Sequence, residues 1–229
     1  MTFPEPLEPL LGSGVFIDSA NSKVADFARD AVGPATDPVE QVKRLYYRIR
    51  DDFRYDPYVD YADPNTYRAS TCIDEGRGFC IPKAALMAAS ARTLGIPARV
   101  GFADVRNHLA TGRLLDHLGS NIFVFHGYAE VWVAGRWVKT TPCFNITLCK
   151  KFGVAPLEFD GVNDAMLHPY DTKNRLHMEY LHQRGVYNDV PFDEIQQALR
   201  QAYPAIFKTD NARIHGDFAV EAASRPMTE

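Results

Sequence analysis

Apolar positions first recur at helical spacing along Val39, Val42, Leu45, Tyr46 and Ile49, one face of a helix that should end near Asp52. Its start is signalled by Asp37-Pro38-Val39-Glu40. Asp37 can accept from unpaired first-turn N–H groups, Pro38 fits the first helical position, and Glu40 stands where a capping box needs its acid. A second helix is predicted over residues 80–94. From Ala84 onward it is small or apolar on nearly every side, which marks a buried helix; Pro82 suits its first turn, Gly95 its C-terminal cap, and Pro97 follows as a stop. Residues 98–102 read as a strand. Residues 121–133 and 136–140 are stronger β runs, joined through Ala134-Gly135 as a hairpin. A last amphipathic helix is predicted over about residues 192–203.

Between these elements the pattern weakens. Residues 1–14 form a Pro/Gly-rich lead-in that should pack on the body of the protein, and residues 53–70, rich in Tyr, Asp and Pro, read as a long ordered loop. Residues 103–120 read as a polar excursion. Beyond Pro142 the chain is mixed, with turn signals at Phe159-Asp160-Gly161 and His168-Pro169 and a polar tail expected to fray. With no internal repeat or linker, one domain over residues 1–229 is expected, its core at about 40–145 and a C-terminal extension at about 146–229.

Composition narrows the function classes. At 229 residues, 46% hydrophobic and 24% charged, the chain has the proportions of a globular protein. A net charge of −4 gives no field to hold nucleic acid, which needs clustered Lys and Arg. No run approaches the ~18 apolar residues of a membrane-spanning helix. The start, with three prolines, two glutamates and no basic segment, does not read as a secretory signal, so the cytoplasm is the expected compartment. Four cysteines in this length suggest thiols rather than a disulfide framework.

Two residues carry the candidate chemistry. Cys80 follows Gly76-Arg77-Gly78-Phe79 and opens the buried helix, where unpaired N–H groups and the helix dipole should lower its pKa toward that of an activated thiol. Taken alone, a free cysteine is more often a small buried apolar residue. His126 ends the run Ile122-Phe123-Val124-Phe125, and on a continuous strand it shares a face with Tyr128, Glu130 and Trp132. A strand histidine is by itself usually structural. A thiol beside an imidazole, however, is the minimum for acyl transfer through a thioester.

The stretch from Gly76 through GRGFCIPKAALMAASARTLGIPARV, followed by HGYAEVWVAGRWVKTTP, resembles the core of the transglutaminase-like superfamily over roughly residues 40–145. That resemblance implies an α+β, papain-like fold in which a buried helix with Cys at its N-terminus packs on an antiparallel β-sheet. It also implies a Cys–His–Asp triad, with Cys80 as nucleophile and His126 as general base. The third position departs from the pattern: the place of the Asp, before a Pro, is held by Thr141. A threonine hydroxyl can orient an imidazole but supplies no negative charge. Asn145, four residues on, is the alternative orienter. For the oxyanion, the Cys80 N–H is one donor, and Tyr55, Tyr58, Tyr61, Tyr67 and Phe79 are the candidate oxyanion or substrate-contacting residues. Glu130 is read as structural, paired with an arginine such as Arg99.

Other patterns do not carry function. Cys72, Cys80, Cys143 and Cys149 contain no C-x-x-C and match no zinc spacing; Cys143 and Cys149 are read as buried thiols. His177 and His182 are five apart, unlike H-E-x-x-H, and the segment from Asp160 to Asp164 lacks the ligand order of a calcium loop. His108, His117 and His168 are read as surface or structural. No metal and no organic cofactor is expected. The expected function is thiol-dependent acyl transfer on an amide or thioester carbonyl of a peptide or small molecule, ending in hydrolysis or amide transfer. The alternatives are acid–base chemistry on a small metabolite without an acyl intermediate, such as isomerisation or cyclisation, or a binding protein that has lost catalysis with the Asp.

Overall fold

The computed structural model describes residues 7–108, 110–167, 170–207 and 216–223. The expectations for His168 and for the frayed end lie outside them. In chain order come α1 (Ser22–Val32), α2 (Pro38–Asp52), β1 (Arg54–Tyr55), α3 (Ala69–Glu75), β2 (Arg77–Gly78), α4 (Cys80–Thr93), β3 (Ala98–Asn107), α5 (Gly112–Leu118), β4 (Ile122–Val133), β5 (Arg136–Thr140), α6 (Ile146–Phe152), β6 (Met178–Tyr187), α7 (Phe192–Ala202) and α8 (Phe218–Ala223).

α2 starts as its sequence dictates: the Asp37 carboxylate accepts the Glu40 N–H at 3.0 Å. Glu40 does not complete a capping box, because its carboxylate turns to Arg44 at 2.8 Å. α4 is the centre of the fold. Every residue from Ile81 to Arg92 is buried, and the helix lies between α1, α2 and α3 on one side and β3 and β4 on the other. An all-round apolar surface is what such a position requires. The sheet is antiparallel throughout, in the order β5-β4-β3-β6. One continuous apolar core runs from Phe16 to Ala222. The lead-in packs on the body, as Arg92 donates to the Gly12 carbonyl at 2.7 Å and Asp189 accepts the Ile17 N–H at 2.8 Å.

Three expectations are corrected. Residues 103–120 are not a polar excursion: β3 continues to Asn107, and α5 follows after a short connection. The polar Asp104 and Asn107 of that strand are nonetheless buried, so the usual alternation fails to announce them. The supposed loop over residues 53–70 holds β1 and a short 3₁₀ turn at Pro64–Tyr67, and α3 begins within it. The mixed region after Pro142 contains β6, an edge strand whose middle residues, Leu181, His182 and Gln183, are exposed whether apolar or polar. It therefore offers no apolar period to read.

Candidate functional site

Local sequence puts Cys80 at the mouth of a cavity. Phe79 is the extended N-cap residue and Cys80 the first residue of α4, so its N–H has no acceptor within the helix. β4 comes against this helix start through Gly127, where a Cβ would lie 3.1 Å from the Ile81 Cα. A side chain there would press on the backbone of α4 and force it back by a few tenths of an ångström. The close approach brings the neighbouring His126 to the same cavity, which Cys80 and His126 line together with Tyr55, Phe79 and Phe125 among others. The space between these residues, counted with the open solvent at its mouth, is about 550 Å³.

His126 is preceded by a distortion of β4. Opposite Ala103-Asp104-Val105, β4 runs Phe123-Val124-Phe125-His126, one residue longer, and Phe125 takes a left-handed backbone with φ of 55°. This is a β-bulge, a device that re-aims a side chain next to a site. It is held from below, for the Phe125 N–H donates to the Asp104 carboxylate at 3.1 Å. Asp104 is in turn gripped by Arg184 of β6 through two bonds of 2.9 and 2.7 Å, and the guanidinium lies 5.0 Å from the centre of the Phe125 ring.

The electrostatics of the pair differ from the sequence expectation. The N–H groups of Gly127, Ile81 and Cys80 itself favour a thiolate, but burial outweighs them and pushes the Cys80 thiol up to about 11. Burial alone pushes His126 down to about 4. Both groups are thus neutral near pH 7. The lowered thiol pKa expected from the helix start is overturned because removing the sulfur from water disfavours its charge more than the helix terminus favours it.

The remaining predicted residues separate. Thr141 is buried just beyond β5; its hydroxyl donates to Met166 Sδ at 3.5 Å and stands near the Tyr180 hydroxyl, which accepts the Leu167 N–H at 3.4 Å. The Tyr180 ring stands edge-to-face with His126 at 6.5 Å between centroids. Asn145 stands at the N-terminal boundary of α6 without a side-chain cap: its Oδ1 accepts the Tyr55 N–H at 3.1 Å and its amide donates to the Thr147 hydroxyl. His126 Nε2 is buried with no hydrogen-bond partner among the described residues. Tyr55 lines the cavity, and burial followed by the neighbouring Cys143 and Cys80 raises its hydroxyl well above the ordinary tyrosine value. Tyr58 is turned away, its hydroxyl on Glu221, while Tyr67 is fully buried and donates to the Tyr61 carbonyl at 2.9 Å. Glu130 does pair with Arg99, at 2.7 Å. Cys143 and Cys149 are buried free thiols.

Sequence reading passed over Lys83, a fully buried lysine one turn into α4. Its ammonium donates to the carbonyls of Arg50, Phe53 and Cys143 at 3.0, 2.7 and 2.9 Å, and burial pulls it down to about 8. It ties the end of α2 and the segment after β5 to α4. A lysine inside an otherwise apolar stretch was the available signal. Also passed over were the cavity walls from α5 and from the chain around α7, Leu114, Leu118, Leu199, Tyr203 and Ile206. Among the described residues there is no cluster of metal-holding side chains, and no helix long and apolar enough to cross a membrane.

Comparison with known proteins adds the following. No curated protein matches the chain. A solved structure from Cytophaga hutchinsonii, named a "putative cysteine protease", is similar at 16% identity and a TM-score of 0.46, with 79% of this chain covering 54% of that one. A "putative protease" from Parabacteroides distasonis is similar at 16% identity and a TM-score of 0.39, covering 61% of this chain and 27% of that one. The chain thus spans about half the length of the first neighbour and less of the second. The sequence profile of the transglutaminase-like superfamily matches residues 25–142. That match takes in just over half of the chain, from within α1 to the proline that follows Thr141, and includes the Cys-led buried helix on its antiparallel sheet. The chain belongs to the transglutaminase-like superfamily.

Proposed function

We propose that this protein is a thiol-dependent acyl-transfer enzyme with Cys80 as nucleophile and His126 as general base. The observation that carries the reading is that these two side chains, distant in sequence, open onto one cavity at the start of the buried helix. Membership of the superfamily supports thiol chemistry in general. In the resting site both groups are neutral, so attack and proton transfer belong to one step. The Cys80 sulfur bonds the carbonyl carbon of an amide or thioester while its proton passes to the imidazole. The tetrahedral oxyanion finds the Cys80 N–H and the Tyr55 hydroxyl. Collapse expels the amine or thiol, which takes the proton from His126. Water or an amine then attacks the thioester, gives its proton to His126, and frees the sulfur, which recovers it.

Thr141 acts at one remove in this scheme. Through Tyr180 it fixes the plane of the imidazole, and Asn145 holds Tyr55 by its backbone. These are positioning roles. The test is intact-mass analysis after mixing with activated esters and amides: an acyl adduct is expected on the wild-type chain and none on Cys80→Ala. An adduct that persists in Cys80→Ala, or none on either, overturns the proposal. Product analysis with and without an added amine then divides hydrolysis from transfer.

A further inference from the structure

The cavity beside Cys80 has a one-sided chemistry. Among the described residues that line it, none is Asp, Glu, Lys or Arg. Leu114 and Leu118 of α5, Phe123 and Phe125 of β4, and Leu199 and Ile206 from the region of α7 supply much of the wall. Its tyrosines are apolar in effect where their hydroxyls are occupied. Tyr61 donates to the Pro57 carbonyl at 2.6 Å, and Tyr203 donates to the Ile122 carbonyl at 2.7 Å while accepting the Val124 N–H at 2.8 Å. Tyr55 lines the same cavity with Cys80 as an electrostatic neighbour of its hydroxyl. Polar function in the cavity is therefore gathered at Cys80, His126 and Tyr55, and the rest is hydrocarbon.

Resting on the acyl-transfer reading above, we infer that the acyl group delivered to Cys80 has an uncharged, apolar body, a branched aliphatic or aryl group, which fills the pocket between α5, β4 and α7. A carboxylate carried on that body would meet no cation in the wall and lose its water. Apolar bulk would gain up to about fourfold in affinity per buried methylene. The polar end of the substrate stays at the mouth, with the thiol, the imidazole and the Tyr55 hydroxyl.

The test is acylation by p-nitrophenyl esters that share one leaving group: acetate, hexanoate, phenylacetate and monosuccinate. The Cys80 sulfur takes the acyl carbon, p-nitrophenolate leaves, and the thiol proton is released through His126. Hexanoate and phenylacetate should exceed acetate at least tenfold in kcat/KM, with monosuccinate no better than acetate. Two separate variants, Leu199→Arg and the less buried Phe123→Arg, should each move the ratio toward monosuccinate by tenfold or more, so that a folding failure in one leaves the other to decide. Comparable rates for monosuccinate and hexanoate on wild-type protein overturn the inference while leaving the thiol reading intact. Binding is read separately on Cys80→Ala, which cannot be acylated: hexanamide and phenylacetamide should raise its Tm and succinamate should not. Stabilisation by the two amides without any Cys80 adduct from the esters would refute acyl transfer and uphold the pocket's chemistry. Equal stabilisation by succinamate would refute the pocket.

Discussion

Asp104 accepts the backbone N–H of Phe125 at 3.1 Å, and this bond holds β4 in a left-handed bend immediately before His126. A non-glycine residue in that conformation is strained by about 1–2 kcal/mol and persists only where neighbours hold it. Asp104→Ala should destabilise the fold by about 1–3 kcal/mol, since it removes that bond and strands Arg184. In a Phe125→Gly background, where the backbone tolerates the bend unaided, the loss should shrink by at least about 0.5 kcal/mol. Urea unfolding of the double-mutant cycle measures the coupling, and strict additivity would mean that Asp104 does not hold the bend.

The neutral pair makes two predictions about pH. His126 falls from an ordinary 6.5 to about 4 on folding, so between those values the unfolded chain binds a proton that the native chain refuses. Stability from this group is therefore full above pH 6.5 and is lost as the pH falls toward 4. His126→Gln should flatten that part of the curve of stability against pH. Alkylation of Cys80 by iodoacetamide should climb steadily toward pH 11, following the thiol's raised pKa. A rate plateau between pH 5 and 8 would instead reveal a preformed thiolate–imidazolium pair, in conflict with the burial of both groups.

Thr141 and Asn145 should separate by what they damage. Thr141→Ala removes the hydroxyl beside Tyr180, whose ring stands edge-on to His126, and should lower the rate of acylation about tenfold with KM little changed. Thr141→Ser, which keeps the hydroxyl, should restore most of it. Asn145→Ala frees the backbone of Tyr55 and opens the start of α6, so its main effect should be a lower Tm. Changes below threefold in turnover for both alanine variants would show that neither residue positions the base.

Lys83→Met should be among the most damaging single changes outside the reactive pair. Its ammonium satisfies three buried carbonyls, so methionine would fill the volume but leave all three without their donor. A loss of about 3 kcal/mol or more is expected by urea denaturation. A value under about 0.5 kcal/mol would mean that the carbonyls find other partners.

What the sequence made legible was whatever local chemistry and period dictate. The cap at Asp37, the all-round apolar α4 and the Ala134-Gly135 hairpin each follow from a rule that acts over a few residues. Cys80 and His126 could be named from the family pattern, and the structure brings them to one cavity. β6 was not legible, because an edge strand open to water needs no apolar alternation. Neither was the far half of β3, where Asp104 is buried against Arg184, a partner 80 residues away. The charge state of Cys80 was misjudged for a related reason: a helix terminus is visible in sequence, whereas the depth of burial that outweighs it depends on elements as remote as α7.

That remoteness has an evolutionary consequence. The sulfur, the imidazole and the strands that hold them lie within residues 25–142, whereas Leu199, Tyr203 and Ile206 come from after the shared region. One side of the cavity wall is thus encoded in a different stretch of the gene from the rest, which lies with Cys80 and His126. Drift in the later stretch would reshape that one side of the cavity while leaving Cys80, His126 and the opposite wall as they are.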